Sequence, residues 1–156
     1  MRIQTLFVSA CLTALAACAN HPREPEPSDG TCGVTPVDGS GLLPSAPELL
    51  KRSNFLKVNY GLPPGLVEQK LQGRAVMQLR VDATGKPDSA DFLQLDAPPR
   101  VASAMCNFVR KLRWDVSEPQ TIVFGLRVCY NECSKVTPFP GFEKVEFAIA
   151  GQRVYR

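Results

Sequence analysis

Six cysteines and one histidine are the residues of this 156-residue chain whose types point first to chemistry. Cys129 and Cys133 stand in the stretch CYNEC with three residues between their thiols, so the pair lacks the C-x-x-C spacing of a redox dithiol. Two thiolates would supply half of a zinc site. The other ligands would have to be found, and the single histidine, His21, lies far away in a Pro-rich stretch near the N-terminus. No serine nucleophile has a histidine base, because no histidine follows residue 21. Asp88, Asp91 and Asp96 read as turn and surface residues rather than as a catalytic carboxylate pair. The stretch DATGKPD, residues 82 to 88, lacks the D-x-D-x-D oxygen ligands of a calcium loop and sits where a hairpin must turn. The chain is therefore read as no enzyme, with no cofactor and no metal expected.

Cys18 has a different chemistry. Met1-Arg2 supplies one positive charge, and Ile3 to Ala17 is an apolar run too short to cross a bilayer, which takes roughly 20 residues. This is the pattern of a secretory signal peptide over residues 1–17. Leu15-Ala16-Ala17-Cys18 resembles the lipobox of bacterial lipoproteins. The resemblance implies a cysteine that carries fatty acyl chains of the palmitate kind and becomes the first mature residue. It implies a permanently tethered protein, since two or more chains anchor stably where one does not. Ala19 and Asn20 lack the Asp that commonly retains such proteins at the inner membrane in the enteric pattern, so the expected address is the outer membrane, facing the periplasm.

Without Arg2 the chain from Cys18 onward carries 17 basic and 15 acidic side chains, a balance too even to argue for nucleic acid. Four further cysteines remain in an oxidising compartment: Cys32, Cys106, Cys129 and Cys133. An even count favours two disulfides over zinc or free buried thiols, with three possible connectivities. Cys129 falls at a strand's end, from which a short loop through Asn131 returns Cys133 to it. Cys106 is then left for Cys32, which pins the far part of the preceding segment to the domain.

The elements that must position these residues follow from periodicity. Residues 18–46 hold five Pro and four Gly with almost no apolar period, and read as an extended tether. Ser45 as N-cap, Pro47, and Leu49, Leu50 and Leu56 predict a short helix. LPPGLVEQKLQG predicts a second, ended by Gly73. Ala75, Met77, Leu79 and Val81 alternate with Val76, Gln78, Arg80 and Asp82, predicting a strand with one buried face. Asp82 to Gly85 turns the chain, and Ser89 to Leu95 returns. Val101, Met105, Phe108 and Leu112 share one helical face, opened by Pro98 and Pro99. Ile122, Phe124, Leu126 and Val128 then point inward from a last strand, with Val123, Arg127 and Cys129 outward. Trp114 reads as a lid on this core, and Arg110, Lys111 and Arg113 as a solvated basic flank, or one that meets an acidic partner or lipid head groups.

The expected architecture is α+β, a small antiparallel sheet with an amphipathic helix packed across it, in the order ββαβ. Gly73 opening the first strand, Val81-Asp82 with Gly85 at the turn, and Trp114 closing the helix make residues 60 to 131 resemble the C-terminal domain of TonB-type proteins. YGLPPGLVEQKLQG resembles the helix that precedes that Gly. The family's energy transducers keep an inner-membrane signal anchor and a long spacer. Here the signal is of the cleavable lipoprotein kind and the spacer is short. What the resemblance implies is the fold, over residues 47–133, and the habit of binding a partner's extended segment along a sheet edge. The expected function is a periplasmic lipoprotein docking onto another envelope protein, such as an outer-membrane or secretion component, with self-association as a second possibility. The alternative is a structural lipoprotein subunit of a multiprotein secretion or envelope-assembly complex.

Residues 134–156 lie beyond the resemblance as a C-terminal extension. Val145, Phe147 and Ile149 alternate like another strand, with Lys144 and Glu146 toward water and Ala150-Gly151 as a turn toward Val154 and Tyr155. This segment is expected either to cap the sheet edge in its own chain or to be the strand that pairs with a partner. Because the core strands and helix lie upstream, its removal from residue 143 onward is expected to leave a folded domain.

Overall fold

The computed structural model describes residues 32–37, 41–55, 61–130 and 133–151. The signal segment, Cys18, His21, Leu56, Asn131, Val154 and Tyr155 lie outside the described residues.

The chain enters through a two-residue strand β1 (Gly33–Val34) and passes through short helices α1 (Pro47–Lys51) and α2 (Pro64–Glu68). Strands β2 (Gly73–Val81) and β3 (Pro87–Asp96) follow, then helix α3 (Pro99–Val109), β4 (Gln120–Tyr130) and β5 (Glu146–Gly151). The fold is α+β, with all strands in one sheet ordered β1-β3-β2-β4-β5.

The sheet is mixed rather than antiparallel. β2 pairs antiparallel with both β3 and β4, as a hairpin and a helix-spanning return require, but β1 runs parallel to β3 and β5 parallel to β4. The cause is the path of the outer segments. Parallel neighbours need a crossover, and residues 133–145 supply one between β4 and β5 by passing over the outer face of the sheet. The C-terminal segment is thus a strand of the same sheet, with Gly125 to Tyr130 in register with Glu146 to Gly151.

Alternation accounts for the inner face. Ala75, Met77, Leu79 and Val81 of β2, Ala90 and Phe92 of β3, and Ile122, Phe124, Leu126 and Val128 of β4 are buried together with Val101, Met105 and Phe108 of α3. α3 opens with Pro98 at its cap and Pro99 at its first turn, where a missing N–H costs least. Trp114 is buried at the helix's exit and donates from Nε1 to the Leu49 carbonyl at 3.1 Å.

The outer face departs from the expected exposure. Val76, Leu93 and Phe142 form a second buried cluster, with Leu42, Val123 and Phe139 packed against it. Val76 and Val123 point away from α3 yet are covered, because residues 41–45 and the crossover before β5 both lie over that face. Ser45 is not an N-cap: Ala46 holds that position without a side-chain cap. Instead Ser45 donates its N–H to the Val123 carbonyl at 2.9 Å and accepts the Val123 N–H on Oγ at 2.8 Å, occupying β4 just beyond the start of β5. Nor does Gly73 end α2. Lys70 takes the positive φ of 54° after that helix, and Gly73 is the first residue of β2, where a Cβ would come within 2.4 Å of the Ala97 Cβ. Ala150 and Gly151 continue β5 and make no turn.

Candidate functional site

The hairpin between β2 and β3 is organised by one carboxylate. Asp82 Oδ1 accepts from the Thr84 N–H at 2.8 Å, the Thr84 hydroxyl at 2.6 Å and the Lys86 N–H at 3.0 Å. Hydrogen bonding to the charged form lowers a carboxyl pKa. The Thr84 hydroxyl first, then the Lys86 N–H, hold Asp82 below its ordinary value of 3.8. Every group of the DATGKPD stretch that bonds Asp82 is thereby spent on the turn.

Gly85 ties this turn to the end of the helix. Its φ is +76°, its carbonyl accepts the Trp114 N–H at 2.9 Å, and a Cβ there would stand 1.8 Å from the Trp114 carbonyl oxygen. Glycine is required twice, by the left-handed backbone and by the approach of Trp114. Residues 82–85 and 114 are therefore one unit, although 29 residues separate Gly85 from Trp114 in sequence.

The cysteines meet in two pairs. Cys32 bonds Cys106 with Cα atoms 5.7 Å apart, and Cys129 bonds Cys133 with Cα atoms 5.0 Å apart, both inside the range that a disulfide spans. The first clamps the residue before β1 to the middle of α3. The second closes a short loop at the end of β4. Cys129 belongs to the outward alternation but is fully buried, bonded to Cys133.

Beside that loop lies a charge pair on the covered outer face. Arg127 and Glu146 side chains are only 14% and 12% exposed and form a salt bridge between Nη2 and Oε1. Arg127 Nη1 donates to the carbonyls of Cys133 and Val136. One guanidinium thus fastens β4, the disulfide loop, the crossover and β5. Glu146 therefore does not face water, in contrast to the expectation from alternation, because the crossover that delivers β5 covers its side. Arg127 was legible only as an outward residue; a lone arginine inside the apolar run TIVFGLRVCY is the signal that it has partners.

Val145, Phe147 and Ile149 are buried in the chain's own core. Phe147 stacks on Phe55 at 4.6 Å between centroids and meets Phe124 at 5.2 Å. Of the two expectations for this segment, the intrachain cap describes how it lies here: β5 extends the sheet beside β4, and these three side chains pack inside the chain's own core. In a parallel ladder alternate residues bond to opposite sides. The Gly125 N–H donates to the Val145 carbonyl at 2.8 Å, so the backbone groups of Glu146, Ala148 and Ala150 point to the far edge of β5.

The remaining candidates stay apart. Asp96 pairs with Arg74 at 3.0 Å, and Arg74 also donates to the Thr137 carbonyl and lies over the Phe139 ring. Arg113 is tied to local carbonyls of Arg110 and Leu112 and to Asn54. Among the described residues no group of three or more His, Cys, Asp or Glu is placed to hold a metal ion, and no helix is long and apolar enough to cross a membrane. Comparison with protein-family models, with curated proteins and with solved structures gives no match.

Proposed function

We propose that the chain is a periplasmic lipoprotein, held to the outer membrane through Cys18, whose TonB C-terminal-like domain docks onto another envelope protein. The observation that carries this is the interlock of Asp82, Gly85 and Trp114. These are residues on which the family resemblance rests, and they act together: the turn and the residue that closes the helix are fastened at one point. Two disulfides in a chain of this size agree with an oxidising compartment.

The docking surface in this reading is the far edge of β5, the last strand of the sheet among the described residues. Its outward backbone groups belong to Glu146, Ala148 and Ala150. Glu146 is drawn back to Arg127, and the two alanines carry neither the charge nor the bulk that blunts an edge against strand addition. An extended segment of an envelope protein would add there by main-chain hydrogen bonds.

Ala150→Pro tests it, because it deletes one outward N–H while leaving the bonds to β4 in place. Crosslinking in intact cells, with mass spectrometry of the captured protein, should show about a tenfold loss of capture, the loss expected when about 1.4 kcal/mol of binding is removed. Unchanged capture by a variant with unchanged far-ultraviolet circular dichroism refutes docking at this edge. A stable oligomer on sizing in detergent, with no other protein captured, would replace it by the structural-subunit reading.

A further inference from the structure

Among the described residues four large apolar side chains stand in water: Val34 at 63% exposed, Val37 at 40%, Leu43 at 82% and Leu95 at 39%. Isolated cases are ordinary on any surface. Here Val34, Val37 and Leu95 lie together, lining one hollow on the β3 side of the sheet. Val34 pairs with Phe92 on the edge of β3, and the Val37 N–H donates to the Leu93 carbonyl at 3.3 Å, which brings the chain alongside Leu95. Two apolar hollows of about 310 and 400 Å³ lie along this line and share Val34, Phe92 and Leu95. Leu43 stands apart from them, two residues before Ser45 and its bonds to Val123 of β4.

We infer that this patch rests on the lipid surface that carries the protein's own anchor. The inference rests on the reading of Cys18 as acylated, and the structure adds what happens at the other end of the tether. The Cys32–Cys106 disulfide fastens the tether's root to α3, and both cysteines line the smaller hollow. Only 14 residues lead from Cys18 to Cys32. Fully extended they reach at most about 50 Å, and any coiling brings the root closer. A short connection converts surface binding into an intramolecular step with an effective concentration in the range of about millimolar. A patch of three side chains, too small to recruit a free protein to a membrane, is then sufficient to orient a tethered one. Val, Leu and their neighbours enter the boundary between head groups and acyl chains, where apolar side chains of peripheral proteins settle. Asp96, which lines the larger hollow, is offset by Arg74, while the Asp91 carboxylate lies against Gly33 of β1.

The sheet order makes the orientation useful. β1 and β5 are the opposite ends of the sheet, four strand spacings or about 19 Å apart. With the β1 end on the bilayer, the far edge of β5 is held toward the periplasm.

The test uses the full lipidated chain in vesicles of phosphatidylethanolamine and phosphatidylglycerol, with Val34, Val37 or Leu95 replaced in turn by photoreactive benzoylphenylalanine. Thr84 and Glu118 serve as control positions; both are exposed, and both lie at the hairpin end of the sheet, where Val81 pairs with Gln120, while Leu95 pairs with Ala75 at the other end. The mass of the N-terminal peptide establishes first whether Cys18 is acylated. Expected are lipid adducts at the patch positions at least about tenfold above those at the controls, the ratio set by a difference of about 1.4 kcal/mol between orientations. With Cys18 acylated, equal labelling at all positions overturns the docked orientation alone. An unmodified Cys18 overturns the anchor and this inference together. The same substitutions in intact cells should again yield lipid adducts, and protein adducts at the patch positions would assign the patch to a protein partner instead.

Discussion

The hydrogen bonds to Asp82 lower its pKa, and the direction sets a pH dependence. A folded-state pKa below the unfolded one contributes stability that is fully present above the unfolded value and is lost as pH falls through the folded value. The difference in thermal midpoint between the wild type and Asp82→Asn should therefore be constant from neutrality to about pH 5 and shrink below about pH 4, a window read from thermal melts across that range. Because the partners of Asp82 all lie in the turn, the effect belongs to the hairpin and not to the core. At this scale the sequence was most legible where a residue's role is local. Asp82 and Gly85 declare a turn by their types alone. Arg127 and Glu146 do not, since their pairing depends on a crossover that returns one strand beside another.

Elements are joined here by two disulfides of unequal reach. Cys32 and Cys106 are 74 residues apart, Cys129 and Cys133 only 4. In the chain-entropy view the first restricts the unfolded chain by about 4 kcal/mol and the second by about 2 kcal/mol. Cys32→Ser with Cys106→Ser should thus lower stability roughly twice as much as Cys129→Ser with Cys133→Ser, measured by urea denaturation under matched conditions. β5 gives the sharper contrast with expectation. Periodicity assigned Val145, Phe147 and Ile149 an inward face, yet it placed the whole segment outside the domain. Phe147 stands among Phe55, Phe108, Trp114 and Phe124. Removal of residues 143–156 deletes a strand and these core side chains together, where loss of one buried Phe costs about 3–5 kcal/mol. The truncated chain should fail to give a cooperative melt, and Phe147→Asp should do much the same. A truncated protein with a native-like melt would place the core boundary upstream of β5 after all.

For the whole molecule the decisive residue is Cys18. If acylation holds the mature chain, Cys18→Ser should move it from the membrane fraction to the soluble or signal-uncleaved pool, because a single point of attachment is then lost. Equal incorporation of a fatty-acid analogue by wild type and mutant would refute the anchor, and density-gradient co-migration with inner-membrane markers would refute the outer-membrane address. In the orientation proposed for the Val34 patch, the short tether that would hold the domain at the surface would also decide which end of its sheet is left for a partner.

The strands β2, β3 and β4, helix α3 and the hairpin turn were determined by the sequence itself, because periods of 2 and 3.6 and the chemistry of Asp, Gly and Pro act over a few residues. The pairing of Cys129 with Cys133 was within that range as well. What only the tertiary structure decided are the features set by non-local pairing: the parallel edge strands β1 and β5, the covered outer face, Ser45 bonded to β4 instead of capping a helix, and the Arg127–Glu146 pair. The physical reason is common to all of them. Alternation says which residues of a strand share a face, but what comes to lie over that face is settled by the course of segments tens of residues away, and a side chain reads as solvent-facing until that course is known.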